Sequence, residues 1–399
     1  MLYVIWNIFV FILWVVISTL LIAVAYGFFV SFFKRTVMGI IAAVAYIIHI
    51  LRFWIDFPEF INNHLLIIAI AAMIAITISD AEGIVKPPYL ELKTAFVRAG
   101  LMALSTLGTN NRVYHTIFKH GKYDKDGARI SKCKLPDGYS HKCLIIEGSN
   151  VEIVRPKNEI HRVVFIFPGG GFAGRMTDRK MNYAWYYSEA AGGAVSVILD
   201  YKTSLDGATF PKPLMEAYKI YNWILSHGYK SSDIIFGGDS AGGNLALTLT
   251  EYLRDNSLPL PAGVITFSAW TDMSGTSESY RNMRRFDALF GNNRIIEISA
   301  RQYVSKSKKS LTDKYVSPYF IKDFKNFPPI LMQVGSYEML LSSSMDFAQR
   351  AIKSGVDANV EVYEGMFHEF QRTREYNSYA QAAWLSVKSF IIHLYKDNY

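Results

Sequence analysis

The stretch IIFGGDSAGGNLALTLTEYL, residues 234–253, decides the fold of this chain. An apolar, β-rich run leads into a glycine-rich turn, and an apolar helical pattern follows at once. The turn has the form G-x-S-x-G, with Gly238 and Gly242 flanking Ser240. In a strand–turn–helix context this pattern predicts a tight, strained turn that holds the serine out of the sheet as a nucleophile. The glycines are needed because side chains on either side of Ser240 would collide.

Working outward from this stretch, short apolar runs alternate with longer helical stretches beyond about residue 83. This alternation is typical of an α/β fold with a mostly parallel central sheet flanked by helices. In such sheets ligands bind outside the carboxyl ends of the strands. The predicted strands are 163–167, 195–201, 234–237, 263–268, 330–334 and 360–363, and the predicted helices are 182–190, 214–225, 243–254, 343–354 and 379–395.

A second glycine-rich segment, PGGGF at 168–172, directly follows the first predicted strand. Successive glycines let the backbone approach a substrate and turn N–H groups towards it. A phosphate-binding loop is disfavoured, because neither G-x-G-x-x-G nor a Lys-Ser/Thr pair is present there. We therefore predict an oxyanion hole formed by the backbone amides of Gly170, Gly171 and Ala241.

These motifs resemble the hormone-sensitive-lipase-like branch of the α/β hydrolases, the group that includes arylacetamide deacetylase, neutral cholesterol ester hydrolase and steryl acetyl hydrolase. The resemblance covers roughly residues 162–370 in the family's order. It departs from the family at Pro168, where a histidine usually precedes the three glycines. The matching stretches are PGGGF (168–172), LDYK (199–202), GDSAGG (238–243), FSAWTDMS (267–274), VSPYF (316–320), PPILMQVGSYEMLL (328–341) and EGMFHEF (364–370).

The resemblance implies a catalytic triad of Ser240, Glu338 and His368. His368 would be the general base and Glu338 the acid that orients it, in the chain order Ser, Glu, His. Asp346 competes with Glu338 for the acid role, but its position favours one face of the following helix. No cofactor is required, and no metal site is predicted, since neither H-E-x-x-H nor paired C-x-x-C occurs.

The first 82 residues predict a membrane anchor. The run Leu2–Phe33 contains no charged residue and exceeds the roughly 20 apolar residues that cross a bilayer. A cleaved signal peptide is disfavoured, because no basic residue precedes the run. Two shorter apolar runs, Val37–Leu51 and His64–Ser79, are ambiguous between crossings and re-entrant segments, so up to three spans are expected. Residues 83–399 would form the hydrolase domain, with cap elements at 83–119 and 275–314.

The side of the membrane on which this domain lies stays open. Lys34 and Arg35 favour the cytosol, whereas the family often places its catalytic domain in the lumen. Cys133 and Cys143 bracket the turn residues at 136–138 and would lie nearly opposite in a hairpin. They could form a disulfide, and two free thiols are an equal alternative. We expect an endomembrane such as the endoplasmic reticulum.

Composition excludes several classes of protein. With 51% hydrophobic and 19% charged residues the chain is not disordered. The net charge of +8 belongs entirely to the part beyond residue 80. It fits either an ordinary basic surface or a face held against anionic lipid. Nucleic-acid binding is disfavoured, because basic blocks interleaved with aromatics are absent.

Together these observations predict a membrane-anchored serine esterase that acts on a lipophilic ester, such as a short-acyl lipid, a steryl ester or an acylglycerol. A catalytically impaired hydrolase fold acting as a membrane scaffold is the main alternative, because Pro168 departs from the family's oxyanion loop. A transporter or lipid-handling module regulated by the hydrolase is a further alternative. It is disfavoured because no buried Asp, Glu or Lys marks an ion path in the apolar runs.

Overall fold

The computed structural model describes residues 97–98, 101, 122–125, 127–291 and 294–396. Backbone contacts divide the chain into residues 1–104 and 105–399, and the description below concerns the second unit. The predicted membrane anchor, residues 1–82, lies outside the described residues, as does nearly all of the proposed cap segment 83–119. Within the described ranges, none of the helices has the length and apolarity needed to cross a bilayer.

An eight-stranded sheet forms the centre of this unit, with the strand order β10-β9-β8-β7-β5-β6-β4-β3. In this order, each strand from β10 across to β6 pairs in parallel with its neighbour, β5 included. Strand β4 pairs antiparallel with β6 on one side and with β3 on the other. The first two strands, β1 and β2, form a separate two-stranded sheet. The strands are β1 Lys122–Tyr123, β2 Arg129–Ile130, β3 Tyr139–Ile146, β4 Ser149–Pro156, β5 Val163–Phe167, β6 Val195–Asp200, β7 Ile234–Asp239, β8 Gly263–Phe267, β9 Ile330–Gly335 and β10 Ala358–Tyr363.

Helices cover both faces of the sheet. They are α1 Asn182–Ala190, α2 Lys212–Ser226, α3 Ala241–Asp255, α4 Ser279–Asn282, α5 Ile295–Val304, α6 Leu341–Lys353 and α7 Ser378–Leu394. Side chains alternate between the two faces along each strand, so each strand contributes residues to the hydrophobic cores on both faces of the sheet. Ile234 and Phe236 of β7 join the core under α2, α3 and α6, whereas Ile235 joins the core under α1 and α7. Burial on both faces explains why the parallel strands are apolar throughout.

This architecture confirms the predicted α/β fold with a mostly parallel central sheet. All six predicted strands and all five predicted helices are present, with shifts at their ends. The helix that follows Ser240, for example, begins at Ala241 instead of Gly243. The sheet also contains an antiparallel hairpin, β3–β4, which the sequence analysis did not predict.

The predicted hairpin around residues 136–138 is wrong. No strand of the described chain precedes that turn at Cys133, and β3 instead pairs with β4, so that Cys143 lies opposite Glu152. The tight turn of this hairpin is Glu147–Gly148, where both residues have positive φ, as a two-residue primed turn requires. Cys133 and Cys143 are both free thiols.

Candidate active site

Ser240 lies between the end of β7 and the first residue of α3. Its backbone has φ 53° and ψ −118°, a conformation that costs a non-glycine residue energy and is found mainly where the surroundings impose it. At Ser240, backbone hydrogen bonds to three other residues hold the chain in this conformation. The Ser240 N–H donates to the Phe267 carbonyl at 2.9 Å, and the Ser240 carbonyl accepts from Asn244 and Trp270 at 3.1 and 3.0 Å.

The glycines that flank Ser240 are required by close backbone packing. A Cβ at Gly238 would collide with the backbone of Gly242, and a Cβ at Gly242 would collide with the carbonyl group of Phe167. The turn therefore fits against the end of β5 only with glycine at both positions. These collisions are the steric requirement for glycine that the G-x-S-x-G pattern predicts.

Glu338 and His368 are brought together from two neighbouring strands. Glu338 follows β9 and His368 follows β10, and Glu338 Oε2 accepts from His368 Nδ1 at 2.9 Å. The other carboxylate oxygen of Glu338 accepts from Ser268 Oγ at 2.7 Å and from the Gly335 N–H at 2.6 Å. Asp346, the competing acid, lies on α6, where it accepts from the Tyr319 hydroxyl at 3.3 Å.

Burial and charge set the protonation of this pair. Burial raises the pKa of Glu338, although the hydrogen bonds from His368, Gly335 and Ser268 oppose that rise. Burial also disfavours the charged form of His368. The hydrogen bond and charge of Glu338, together with the charges of Glu369 and Asp287, outweigh that penalty and raise the pKa of His368 to about 9. Stabilisation of the imidazolium is what a triad acid provides.

Ser240 and His368 lie on the same rim of the sheet. The carboxyl groups of their chain neighbours, Asp239 and Glu369, both lie against Gly169, and Ser240 and His368 are buried, at 5% and 4% exposure. Among the described residues, the Ser240 hydroxyl has no hydrogen-bond partner, and His368 Nε2 lies 3.6 Å from Glu369 Oε1. Nucleophile–base hydrogen bonds are often long until substrate binds.

The glycine loop after β5 lies beside the turn that carries Ser240. The amides of Gly170 and Gly171 donate to no acceptor in the described part of the chain, and their φ angles are 127° and 60°. Buried amides normally have a partner, so this loop presents two donors that can stabilise an oxyanion. Ala241 is the first residue of α3, where helical amides also lack internal acceptors.

Two aromatic contacts join the segment 275–314 to the site. The Phe290 ring meets the His368 ring edge-on with centroids 4.8 Å apart. The Tyr303 ring of α5 stacks on Phe172, the residue after the glycine loop, at 3.9 Å. This segment therefore contributes side chains to the surroundings of both His368 and the glycine loop.

Sequence reasoning missed a charged cluster behind the glycine loop, formed by Lys180, Asp239, Glu369 and Arg372. Lys180 Nζ donates to the Gly169 carbonyl, and the Gly169 N–H donates to Asp239 Oδ2 at 3.0 Å. Glu369 Oε2 lies 3.1 Å from Arg372 Nη1. The sequence offered one signal for this cluster, the acidic residues directly adjoining Ser240 and His368.

Protonation within the cluster is asymmetric. Burial and the neighbouring charge of Glu369 raise the pKa of Asp239 well above its usual range. Burial also opposes ionisation of Glu369, but Arg372, His368 and the hydrogen bond from Asp239 outweigh it and lower the pKa of Glu369 to about 2. Asp239 therefore holds the proton of the pair, and Glu369 carries the charge.

A possible metal-ligand group lies away from this site, on β3 and β4. The ligand atoms of His141, Cys143 and Glu152 all lie within 4.8 Å of one another. Both carboxylate oxygens of Glu152 accept hydrogen bonds from the Arg129 guanidinium, and His141 Nε2 lies 2.7 Å from Glu152 Oε2. The carboxylate charge is thus already paired by a buried cation, which opposes binding of a second cation there.

The fold, the strained Ser240 and the Glu338–His368 pair define the class of protein. The family profile of the α/β hydrolase fold matches residues 164–372, which is more than half of the chain, and the chain belongs to this family. This match confirms the α/β-hydrolase part of the predicted resemblance.

Several relatives carry ester-hydrolase names. The chain is 33% identical over 188 residues to an esterase of Acinetobacter venetianus, covering 47% of this chain and 61% of that protein. It is 26% identical over 246 residues to an acetyl-hydrolase of Streptomyces hygroscopicus, covering 62% of this chain and 79% of that protein. The chain thus spans about three fifths of the Acinetobacter relative. A mutant of the esterase E40 aligns with TM-score 0.65 and 26% identity, over 77% of this chain and 98% of that one.

Proposed function

We propose that this protein is a membrane-anchored serine carboxylic-ester hydrolase. The observation that carries the proposal is the Glu338–His368 hydrogen bond at 2.9 Å on the rim that also bears Ser240. Relatives named esterase and acetyl-hydrolase support the same reaction class.

In the proposed mechanism His368 takes the proton of the Ser240 hydroxyl as Oγ attacks the ester carbonyl carbon. The carbonyl oxygen becomes an oxyanion that the amides of Gly170, Gly171 and Ala241 stabilise. The intermediate collapses, the bond to the alcohol oxygen breaks, and His368 returns the proton to the leaving alcohol. A water molecule, deprotonated by His368, then attacks the acyl-enzyme and releases the carboxylic acid and free Ser240.

We infer that the substrate is a lipophilic ester, such as a short-acyl lipid, a steryl ester or an acylglycerol. The apolar run Leu2–Phe33 supports this, because an anchored enzyme meets esters that dissolve in the bilayer. The Phe290 and Tyr303 rings beside the site supply apolar surface. Residues 1–82 are proposed as an anchor in the endoplasmic reticulum or a related endomembrane.

The substrate proposal is tested by incubating membranes that carry the full chain with a panel of esters, alongside membranes that carry the Ser240→Ala variant. Lipid profiling of cells with either form identifies the ester that accumulates when Ser240 is lost. Ser240-dependent hydrolysis of only water-soluble esters would contradict a bilayer substrate. Equal profiles in the two cell lines would favour the scaffold alternative.

The membrane proposal predicts that the full chain stays with membranes washed in carbonate at about pH 11 and is released by detergent, because an apolar span is held by hydrophobic burial and not by charge. Immunoblotting of the pellet and supernatant fractions measures the outcome, with an electrostatically bound peripheral protein as the control. Release of most of the chain by carbonate would contradict the anchor.

The charge around His368 predicts an alkaline activity profile. The imidazole must be neutral to accept the Ser240 proton, and the surrounding carboxylates raise its pKa to about 9. We therefore expect kcat/KM to increase with pH, about tenfold per unit below the pKa, and to level off near or above pH 9. A pH series with a neutral ester tests this, with Ser240→Ala as the background. A plateau reached already at pH 6.5 would contradict it.

A further inference from the structure

We propose that Lys180 is a positioning residue that orients and polarises the peptide group between Gly169 and Gly170, whose N–H is one of the oxyanion donors. This inference rests on the proposed esterase function and deepens it. It also explains how the glycine loop is held although Pro168 precedes it.

The first argument is covalent. Lys180 Nζ donates to the carbonyl oxygen of Gly169, and that carbonyl and the N–H of Gly170 belong to one planar peptide group. In a trans peptide the two bonds point in opposite directions. A contact that fixes the carbonyl on the side of Lys180 therefore fixes the Gly170 N–H on the other side.

The second argument is electrostatic. A hydrogen bond from an ammonium group is stronger than one from a neutral donor, and hydrogen bonds linked through a peptide group polarise one another. Lys180 draws electron density towards the Gly169 oxygen, which leaves the Gly170 N–H more positive. That N–H then stabilises negative charge better, and only the transition state carries that charge on the substrate oxygen.

The third argument is that the loop needs such a support. Gly170 has φ 127°, a region in which only glycine is at ease and which leaves the backbone many alternatives. The preceding positions are fixed by hydrogen bonds. The Tyr201 hydroxyl donates to the Pro168 carbonyl at 2.6 Å, and the Gly169 N–H donates to Asp239 at 3.0 Å. Lys180 supplies the next contact in this series.

The surroundings of Lys180 act on its charge in opposite directions, and the penalty of burial is the larger of the two. Burial lowers the pKa of the Lys180 ammonium, and Asp239 and Glu369 oppose that shift. The side chains of both acids pack close to Gly169, where a Cβ would collide with them. Lys180 therefore donates to the loop carbonyl from a buried position within reach of the charge of Glu369, and this arrangement is that of a support and not of a solvated surface lysine.

Lys180→Met, which removes the charge and the donor, tests the inference. We expect kcat to fall about 10- to 100-fold, less than the loss of a whole oxyanion donor, while KM changes less than twofold. The rate of labelling by a fluorophosphonate should fall in parallel. Lys180→Arg should recover at least a third of wild-type kcat. Lys180→Gln, a neutral donor, should fall between Met and Arg.

The control is Arg179→Met, which removes a positive charge from the exposed neighbour on the same short 3₁₀ helix and should leave kcat unchanged. Thermal melting of each variant identifies simple unfolding. If Lys180→Met does not fold, the Gln and Arg variants decide: equal kcat in both would overturn the polarising role.

The two proposals fail in different ways. Hydrolysis that persists in Ser240→Ala overturns the esterase assignment. An inactive Ser240→Ala together with a fully active Lys180→Met overturns only the role of Lys180. A loss in Lys180→Met that Lys180→Arg does not repair, accompanied by an equal increase in KM, also overturns it.

Discussion

We expect Ser240→Ala to lower kcat/KM for ester hydrolysis by about 10⁵-fold, because loss of the proposed nucleophile would leave only the weak rate enhancement from binding and oxyanion stabilisation. The strained backbone at Ser240, with φ 53°, places this hydroxyl in the turn between β7 and α3. Labelling by a fluorophosphonate should disappear in the same variant, since the probe bonds to the serine oxygen. Initial rates with a short-acyl ester measure the first effect, and gel fluorescence measures the second.

Ser226→Ala is the matched control. Ser226 is an exposed serine at the end of α2 whose hydroxyl donates to the Trp223 carbonyl at 2.8 Å, so its removal should change neither rate nor labelling. If Ser240→Ala keeps more than a tenth of the activity, the esterase proposal is wrong. If the wild type itself neither hydrolyses nor labels, the scaffold alternative replaces it.

Glu338→Gln is expected to lower kcat about 10⁴-fold by stabilising the wrong tautomer of His368, as the equivalent change does in a serine protease triad. Glu338 Oε1 accepts from two donors, Ser268 Oγ and the Gly335 N–H. A glutamine must keep its carbonyl oxygen at that position, so its NH₂ group faces His368 Nδ1. Nδ1 must then accept, which moves the proton to Nε2 and blocks the general base.

Asp346→Asn is the control for this prediction, since Asp346 was the alternative acid in the sequence. From α6, Asp346 contacts the Tyr319 hydroxyl, so we expect kcat to remain within about threefold of wild type, as a surface change would. Steady-state kinetics of both variants, with melting temperatures, measure the outcome. A larger loss in Asp346→Asn than in Glu338→Gln would reverse the assignment.

The fold was predictable from sequence because the strand, the turn and the helix that decide it follow one another directly along the chain. The run 234–253 contains a strand, its turn and its helix, and the collisions that demand Gly238 and Gly242 involve the turn itself and the adjoining strand β5. Burial on both faces gave the parallel strands continuous apolar runs that are easily recognised. The pairing of Glu338 with His368 came from family resemblance, because no local pattern links residues on separate strands.

The wrong hairpin and the missed contact of Lys180 involve pairings that no conspicuous sequence pattern marks. Cys143 pairs with Glu152, and the hairpin turns at Glu147–Gly148, a pair that lacks the Asn or Asp typical of such turns. The proline-containing turn at 136–138 was the more conspicuous signal, but it leads into β3 without a paired strand before it. The contact of Lys180 with Gly169 joins a 3₁₀ helix to a loop, and only the three-dimensional structure brings them together.

The strand order has a practical consequence for how loss of function should be read. Ser240 follows β7 in the interior of the sheet, whereas His368 follows β10, the outermost strand of the described sheet. Fraying that begins at this edge would displace His368, the proposed base, while the surroundings of Ser240 stayed intact, since edge strands open at lower free energy than interior ones. Heat or denaturant can therefore abolish activity before the central strands unfold. An activity assay alone would then underestimate the stability of the rest of the domain.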